Sequence, residues 1–179
     1  MPTADTMKPD AIVIRPLAET DSISDLTSLL HRAYGQLARM GLRYMATHQG
    51  EDVTRQRAAE GTCLVALSDG KIVGTIIVKD ATQTKGCAWY DRPGIASIGQ
   101  FAVEPDLQAK GLGRRLMDEA EKRAAASGAA EIALDTAEPA AHLVEWYGRI
   151  GYRFVEYMQW DHTNYRSVIM SKPLAGASS

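Results

Sequence analysis

Residues 95–116 read IASIGQFAVEPDLQAKGLGRRL, and this segment decides the fold of the chain. Its first half is rich in β-branched and small residues, as in a buried strand, and a helix is predicted from Gly111 to Ser127. The helix start is surrounded by Lys110, Arg114 and Arg115. A helix N-terminus already carries a partial positive charge and usually attracts acidic residues. Basic residues here therefore indicate that something negative binds.

The glycine turn between strand and helix is a candidate phosphate site. Glycine allows positive φ and close approach of a ligand, so we expect the N–H groups of residues 109–114 to point at an anion on the helix axis. A solvated glycine-rich turn is the structural alternative. Other phosphate motifs fit badly, because Leu116 stands where a dinucleotide fingerprint needs a third glycine, and Arg114 follows Gly113 where a Walker loop needs lysine.

The flanking segments predict an α/β (α+β) fold with one mixed, mostly antiparallel sheet of about seven strands. Strands are predicted at 11–15, on both sides of a turn at 68–70, and at 95–103, 131–135, 152–160 and 165–172. Helices are predicted from Asp21 or Ser22 to about Gly41, around 51–60, from 111 to 127, and between Pro139 and Gly151. The strand–helix–strand unit over 95–135 should be parallel. We expect a single domain at 11–172, with loose tails at 1–10 and 173–179.

Composition argues against several classes of protein. The 179 residues are 45% apolar and 23% charged, which suits one globular domain. The net charge of −2 provides no basic field for nucleic acid, and no apolar run is long enough to cross a membrane. The only cysteines, Cys63 and Cys87, predict reduced thiols in the cytoplasm. The four histidines show no metal-ligand spacing, so no metal is expected.

Two motifs resemble those of the GNAT superfamily of N-acetyltransferases. The first is Arg/Gln-x-x-Gly-x-Gly/Ala between a strand and a long helix, and it is matched here by Gln108, Gly111 and Gly113. The second is a helical tyrosine shortly before Gly-Phe/Tyr, matched by Tyr147 and by Gly151 with its neighbour. The order of elements also matches. The resemblance implies a GNAT-like fold with helices on both faces of the sheet, and an acyltransferase that uses acetyl-CoA and releases CoA.

The resemblance also implies a cofactor site. The loop N–H groups would bind the CoA pyrophosphate, and the preceding strand would pair with the pantetheine through its main chain. The implied cofactor-binding residues are Phe101, Ala102, Val103, Gln108, Ala109, Lys110, Gly111, Leu112, Gly113 and Arg114. The N–H of Val103 or a neighbour would polarise the thioester carbonyl. Arg115, one step further round the helix, is interpreted as a partner of Glu119 alone.

Tyr147 and His142 are the candidate catalytic residues. Tyr147 matches the family's tyrosine that protonates the departing thiolate, and a pKa of about 10 keeps it protonated. It also lies on the apolar face of its helix with Trp146 and Ile150, so core packing is the alternative interpretation. His142 is considered because histidine is a usable proton carrier near neutral pH, but it could equally cover the helix start.

The sequence departs from the family pattern at two points. Ala140 stands about where an asparagine is common, and the strand over 95–103 has no carboxylate to act as a base. Glu104 follows that strand but lies in a turn, where a solvated loop acid is the alternative. Water, or a base from residues 80–94, is another source.

The acceptor and the partners are less defined. Aromatic and charged residues that suit a small polar amine, an exposed rim or a dimer contact are Tyr34, Arg39, Arg43, Tyr44, His48, Trp89, Tyr90, Asp91 and Arg92. We predict acetyl-CoA and a primary amine of a small molecule or protein as partners, with neither nucleic acid nor membrane, and a homodimer stays open. A non-catalytic acyl-CoA-binding sensor or regulatory module and an unrelated nucleotide-phosphate binder are the alternative functions.

Overall fold

The computed structural model describes residues 11–175 of the chain. The strands are β1 (Val13–Pro16), β2 (Thr62–Ser68), β3 (Lys71–Lys79), β4 (Ile95–Val103), β5 (Glu131–Ala137), β6 (Arg153–Met158) and β7 (Ser167–Pro173). The α-helices are α1 (Ile23–Ala33), α2 (Gly35–Arg39), α3 (Glu51–Ala58), α4 (Leu112–Ala126) and α5 (Ala141–Arg149). Short 3₁₀ turns lie at Met45–Thr47 and Pro105–Leu107.

The strands form one seven-stranded sheet in the order β1-β2-β3-β4-β5-β7-β6. Only the β4–β5 pair is parallel, and every other neighbouring pair is antiparallel. The predicted mixed, mostly antiparallel sheet of about seven strands is therefore confirmed, as is the parallel strand–helix–strand unit. Strands from both ends of the described range belong to this one sheet.

Helices cover both faces of the sheet, as expected. Alternate side chains of a strand point to opposite faces, and in β2 Leu64 belongs to the core under α4 whereas Val65 packs with α1. Leu116 of α4 is fully buried, and a Cβ built on Gly74 of β3 would lie 2.9 Å from its Cδ1. The helix that follows the glycine turn is therefore held tightly against the centre of the sheet.

Strand β4 contains a bulge that the sequence did not predict. Its register against β3 shifts between Thr75 and Ile77, and Gln100 has a φ of 50°. An extra residue in one strand shifts the alternation of its side chains. Ile98 and Val103 consequently share the core under α4, although their spacing of five residues would place them on opposite faces of a regular strand.

The predicted helix from residue 21 or 22 to about Gly41 is wrong as one unit. Ser22 caps α1 by accepting a hydrogen bond from the N–H of Asp25 at 3.1 Å. The helix then ends at Ala33, because Tyr34 leaves the helical conformation with φ −87° and ψ 0°, and α2 begins at Gly35. Glycine at this point lowers the local preference for helix.

The ends of the chain need one correction. Pro173 still belongs to β7 and pairs with Glu131, and buried Leu174 donates its N–H to the Ala130 carbonyl at 3.0 Å. The predicted tail at 173–179 is therefore wrong for its first two residues. Residues 1–10 and 176–179 lie outside the described range. No helix among residues 11–175 is long and apolar enough to cross a membrane, and Cys63 and Cys87 are buried free thiols.

Candidate active site between the splayed strands

Strands β4 and β5 pair over only part of their length. The paired residues are Ile95–Ser97 with Glu131–Ala133, after which β4 continues to Val103 and β5 to Ala137 without pairing to each other. A cavity of about 340 Å³ opens between them. Unpaired backbone groups along a strand can bind an extended ligand. The splay therefore provides a slot for a linear molecule next to β4.

The cavity brings together six of the predicted catalytic and cofactor-binding residues. They are Phe101, Ala102, Val103, Gln108, His142 and Tyr147. Tyr34 and Tyr44, predicted as acceptor-side residues, also line it. The rest of the predicted cofactor residues, 109–114, lie at the start of α4 and outside this lining. The two parts of the predicted cofactor site are thus a strand edge and a neighbouring helix start.

The helix start has the open backbone groups that an anion needs. Gly111 has a φ of 83°, no side chain of the described residues caps α4, and the first turn of this helix contains no acid. The N–H groups of Ala109, Gly111, Leu112, Gly113 and Arg114 make no hydrogen bond to the described residues. The Lys110 N–H, however, donates to the Leu107 carbonyl at 3.2 Å. The prediction that every N–H of 109–114 points at the ligand is therefore wrong for Lys110.

The basic side chains around this turn have different surroundings. Arg114 forms an ion pair with Asp118 at 3.1 Å, and Lys110 is exposed. Arg115 donates from Nη2 to the Ile12 carbonyl at 2.9 Å, so the interpretation that it pairs with Glu119 alone is wrong. Glu119 instead lies 3.4 Å from Lys122. Arg115 thus contributes to holding the start of the described chain against α4.

Asp135 is a candidate functional residue that the sequence did not single out. It lines the cavity on β5, the Tyr90 hydroxyl donates to its Oδ1 at 2.8 Å, and Trp160 Nε1 donates to its Oδ2 at 3.1 Å. The sources of a base that the sequence suggested were Glu104, water and residues 80–94, and none of these is on β5. The sequence did contain a signal for Asp135, because this acid directly follows the apolar residues IAL (132–134) of a predicted strand, and ligands bind beyond the carboxyl ends of parallel strands.

Asp135 is an exposed residue of β5, and it lines the cavity. Desolvation by the protein atoms around its carboxylate raises its pKa above the ordinary value, while the hydrogen bonds from Tyr90 and Trp160 and the electrostatic interactions with Arg57 and His162 oppose the rise. A carboxylate with a raised pKa is a stronger proton acceptor. Chemically, Asp135 is suited to take a proton from a group bound in the cavity.

Tyr147 fits both interpretations that the sequence left open. It belongs to the core under α4, with only 7% of its surface exposed, and its ring packs edge-on against Trp146 at a centroid distance of 5.3 Å. It also lines the cavity, and its hydroxyl has no hydrogen-bond partner in the described part of the chain. Burial raises its pKa well above the usual value. The phenol therefore stays protonated beside the slot.

The remaining candidates separate into cavity and surface residues. Glu104 lies outside the cavity lining and forms an ion pair with Arg32 at 2.7 Å. These surroundings fit an acid of the loop and not a base that faces the cavity. His142 is exposed at the cavity edge. Tyr44 is held by the Ala137 N–H, which donates to its hydroxyl at 2.8 Å. The acceptor candidates that do not line the cavity are Arg39, Arg43, His48, Trp89, Tyr90, Asp91 and Arg92, although Tyr90 reaches it through Asp135.

Sequence comparison decides the family. The sequence model described as Acetyltransferase (GNAT) family matches residues 24–152. A similar protein, the S-(2-succino)cysteine N-acetyltransferase of Bacillus subtilis strain 168, is 30% identical over 141 residues, which cover 76% of this chain and 81% of that protein. This chain belongs to the GNAT family of acetyltransferases. As a GNAT member it is an acetyl-CoA-dependent N-acetyltransferase, with acetyl-CoA as the acetyl donor.

Solved structures confirm the GNAT fold. The Escherichia coli ribosomal-protein-S18-alanine N-acetyltransferase has a TM-score of 0.65 at 21% identity, covering 94% of this chain and 97% of that one. A GNAT acetyltransferase from Elizabethkingia anophelis with acetyl-CoA bound has a TM-score of 0.64 at 15% identity, covering 92% and 99%. No group of His, Cys, Asp or Glu among residues 11–175 could hold a metal ion.

Proposed function

We propose that this GNAT enzyme transfers the acetyl group to a primary amine by direct attack, with Asp135 as general base and Tyr147 as general acid. The observation that carries the proposal is that both side chains line the cavity between β4 and β5. Asp135 would accept a proton from the acceptor ammonium, freeing the amine lone pair for the thioester carbonyl carbon. As the new C–N bond forms and the C–S bond breaks, Tyr147 would donate its proton to the leaving sulfur, and its phenolate would take up the second proton that the nitrogen loses when the amide forms; Asp135 would release the first proton to solvent.

The residues present fit acetyl-CoA. We propose that the unpaired edge of β4, at Phe101, Ala102 and Val103, holds the pantetheine, and that the N–H of Val103 or a neighbour polarises the carbonyl. The proposed pyrophosphate site is the helix start, through the N–H groups of Ala109 and Gly111–Arg114. Gln108 supports the junction between the two, since its Nε2 donates to the Val103 carbonyl at 3.2 Å. Lys110 would add charge through its exposed side chain.

The raised pKa values of both proposed catalytic groups suit their roles. Tyr147 must be protonated before the C–S bond breaks, and burial favours that form. Asp135 must be ionised but basic, and desolvation raises its pKa while two donors stabilise the anion. His142 is retained as a candidate proton carrier at the exposed edge of the cavity.

For the acceptor, the similar Bacillus protein is named for acetylating a cysteine derivative, so we favour a small molecule with an α-amino group. A protein amine is the broader alternative. The proposed location is the cytoplasm. A homodimer stays a prediction, and the exposed Phe154 and Tyr157 on edge strand β6 are the surface that a second copy would cover.

The test is CoA thiol release from acetyl-CoA across a panel of primary amines. We expect Asp135→Asn to lower kcat/KM by about 10²–10⁴-fold, and Tyr147→Phe to lower kcat in the same range, because each removes one proton transfer. Matched controls are Asp106→Asn and Tyr157→Phe, which alter exposed residues outside the cavity lining.

The alternatives predict other results. If Tyr147→Phe matches the wild type with every active acceptor over a range of pH, Tyr147 is a packing residue and not the acid. Tight binding of acetyl-CoA without turnover of any amine would favour the sensor or regulatory module. Displacement of CoA by ATP or NAD would favour the nucleotide-phosphate binder.

A further inference from the structure

Arg57 lies at the C-terminal end of α3, directly over strand β4. Its Nη2 is 4.0 Å from the position of a Cβ built on Gly99, and Gly99 lines the cavity. Parallel pairing joins Ile95 with Glu131 and Ser97 with Ala133. Gly99 and Asp135 each lie two residues beyond the last of these pairs, where the strands have separated. The guanidinium therefore lies near Gly99, at the position along β4 that corresponds to Asp135 on β5, although Arg57 itself is not part of the cavity lining.

Arg57 and Asp135 share this region without forming an ion pair. The positive charge of Arg57 lowers the pKa of Asp135, so the two groups interact through space. None of the ion pairs within 4.0 Å in the described part of the chain includes Arg57. A half-buried guanidinium without a counter-ion is unfavourable, because it loses hydration without compensation.

A buried amide chain fixes how Arg57 is presented. Arg57 donates from Nη1 to Gln49 Oε1 at 2.9 Å, and Gln49 Nε2 donates to Gln100 Oε1 at 2.9 Å. Because the guanidinium can only donate, it determines which way the Gln49 amide faces, and this in turn determines the orientation of Gln100. Both glutamines are 3% exposed, so the chain is shielded from bulk water.

The chain ends at an unsatisfied donor. Gln100 lines the cavity, and its Nε2 is buried without a hydrogen-bond partner among residues 11–175. A buried amide N–H₂ that lacks an acceptor is destabilising, and native structures rarely keep one without a reason. Arg57 and Gln100 thus supply a cation and an unused donor, and a carboxylate would satisfy both of them.

We propose that Arg57, assisted by the Gln100 amide, binds a carboxylate of the acceptor, so that the acceptor is an amino acid or a similar zwitterion. The carboxylate would face Arg57 while the amine faces Asp135, which matches the two charges of such a molecule to the two charges of the site. This inference rests on the proposed amine acetylation and narrows its acceptor class.

The experiment compares two acceptors that differ only in charge: the best amino acid of the amine panel and the same amino acid as its carboxamide. We expect the wild type to prefer the acid. Arg57→Gln should raise KM for the acid by about 10- to 100-fold, because charge-assisted hydrogen bonds to the carboxylate are lost. The KM values for the carboxamide and for acetyl-CoA should stay within about twofold. Arg57→Lys should keep part of the preference, since it retains the charge but not the planar pair of donors.

Arg55→Gln is the matched control, because Arg55 lies two residues earlier on α3, is exposed and pairs with Asp52 at 3.7 Å. It should change none of these constants. A wild type without preference for the acid would overturn the inference. So would an equal rise of both KM values in Arg57→Gln, which would make Arg57 a counter-charge to Asp135 or a support of the fold.

Calorimetric titration of the CoA-bound protein with the same two acceptors gives Kd values that need no turnover. A preference for the acid that Arg57→Gln removes supports the carboxylate site even if CoA release fails with every amine. That failure would count against the proposed acetylation alone. Equal Kd values for acid and carboxamide in the wild type would count against the carboxylate site alone.

Discussion

The Asp135 carboxylate accepts two hydrogen bonds, one at each oxygen, from the Tyr90 hydroxyl and from the Trp160 indole N–H. Tyr90 comes from the segment between β3 and β4, and Trp160 follows β6, so two distant parts of the chain fix the carboxylate plane. Both donors stabilise the anion in a region where desolvation disfavours it. They act on the reaction through Asp135 and are positioning residues in this scheme.

Replacing Tyr90 by phenylalanine tests this role through pH dependence. The lost hydrogen bond had lowered the pKa of Asp135, so that pKa should rise in Tyr90→Phe. A base works only when deprotonated, and the acid limb of the kcat/KM profile should therefore move to higher pH. Well above both pKa values, the variant and the wild type should converge. Arg57 and His162, the charged neighbours of Asp135, are unchanged by the substitution.

Tyr157→Phe is the control for that profile, because its exposed ring lies on β6 and away from the cavity lining. A decrease of kcat/KM that is the same at every pH would contradict the proposed effect on Asp135. It would show instead that Tyr90 supports the packing of its own segment.

Among the elements, helix α4 allows a test of the proposed pyrophosphate site, because a glycine with positive φ lies at each of its two ends. Gly111 precedes α4 with φ 83°, and Gly128 follows it with φ 90°; a Cβ on either would meet nothing within 4 Å. Alanine in this left-handed region costs roughly 1–2 kcal/mol. Gly111→Ala and Gly128→Ala should therefore lower stability to unfolding by similar amounts.

Only Gly111→Ala should also raise KM for acetyl-CoA, because its main chain belongs to the proposed pyrophosphate site. Urea unfolding and steady-state kinetics on the same preparations separate the two effects. Equal changes of KM in both variants would show that the helix as a whole, and not its first turn, controls cofactor binding.

Elements with a local signal were predictable, and their irregularities were not. The hairpin of β2 and β3, the turn at Gly111 and helix α4 are specified by residues close in sequence. The break at Tyr34 and the bulge at Gln100 were not predicted, because the β-branched and small residues of 95–103 indicate a strand but not where its register shifts.

At the scale of the whole molecule, acetyl-CoA should stabilise the fold by mass action. A ligand at a hundred times its Kd contributes about 2.7 kcal/mol, which for a chain of this size corresponds to roughly 5–10 °C in Tm. Differential scanning fluorimetry with and without acetyl-CoA measures the shift. An unchanged Tm at millimolar acetyl-CoA would contradict the cofactor site, and NAD is the control ligand that should have no effect.

How much of the candidate site could be predicted from the sequence depends on how far apart in the chain its residues lie. The glycine turn and Tyr147 could be proposed from the sequence because short motifs carry them. Asp135, Tyr90 and Arg57 come from β5, a loop and α3, and no spacing in the sequence relates them. The sequence therefore allowed a more specific proposal for the cofactor side of the cavity than for the acceptor side.

The splay between β4 and β5 has a consequence for local stability. The sheet consists of two parts, strands β1–β4 and strands β5–β7, and within it these parts are joined only by the pairing of three residues of β4 with three residues of β5. We expect backbone amides next to this short β4–β5 pairing to exchange with solvent through local opening, at a lower free-energy cost than amides in the interior of either part of the sheet. A pantetheine chain bound between β4 and β5 would occupy the place of a strand and bridge the unpaired parts of the two strands. The enzyme would then complete its own β-sheet once in every catalytic cycle and lose it again when CoA departs.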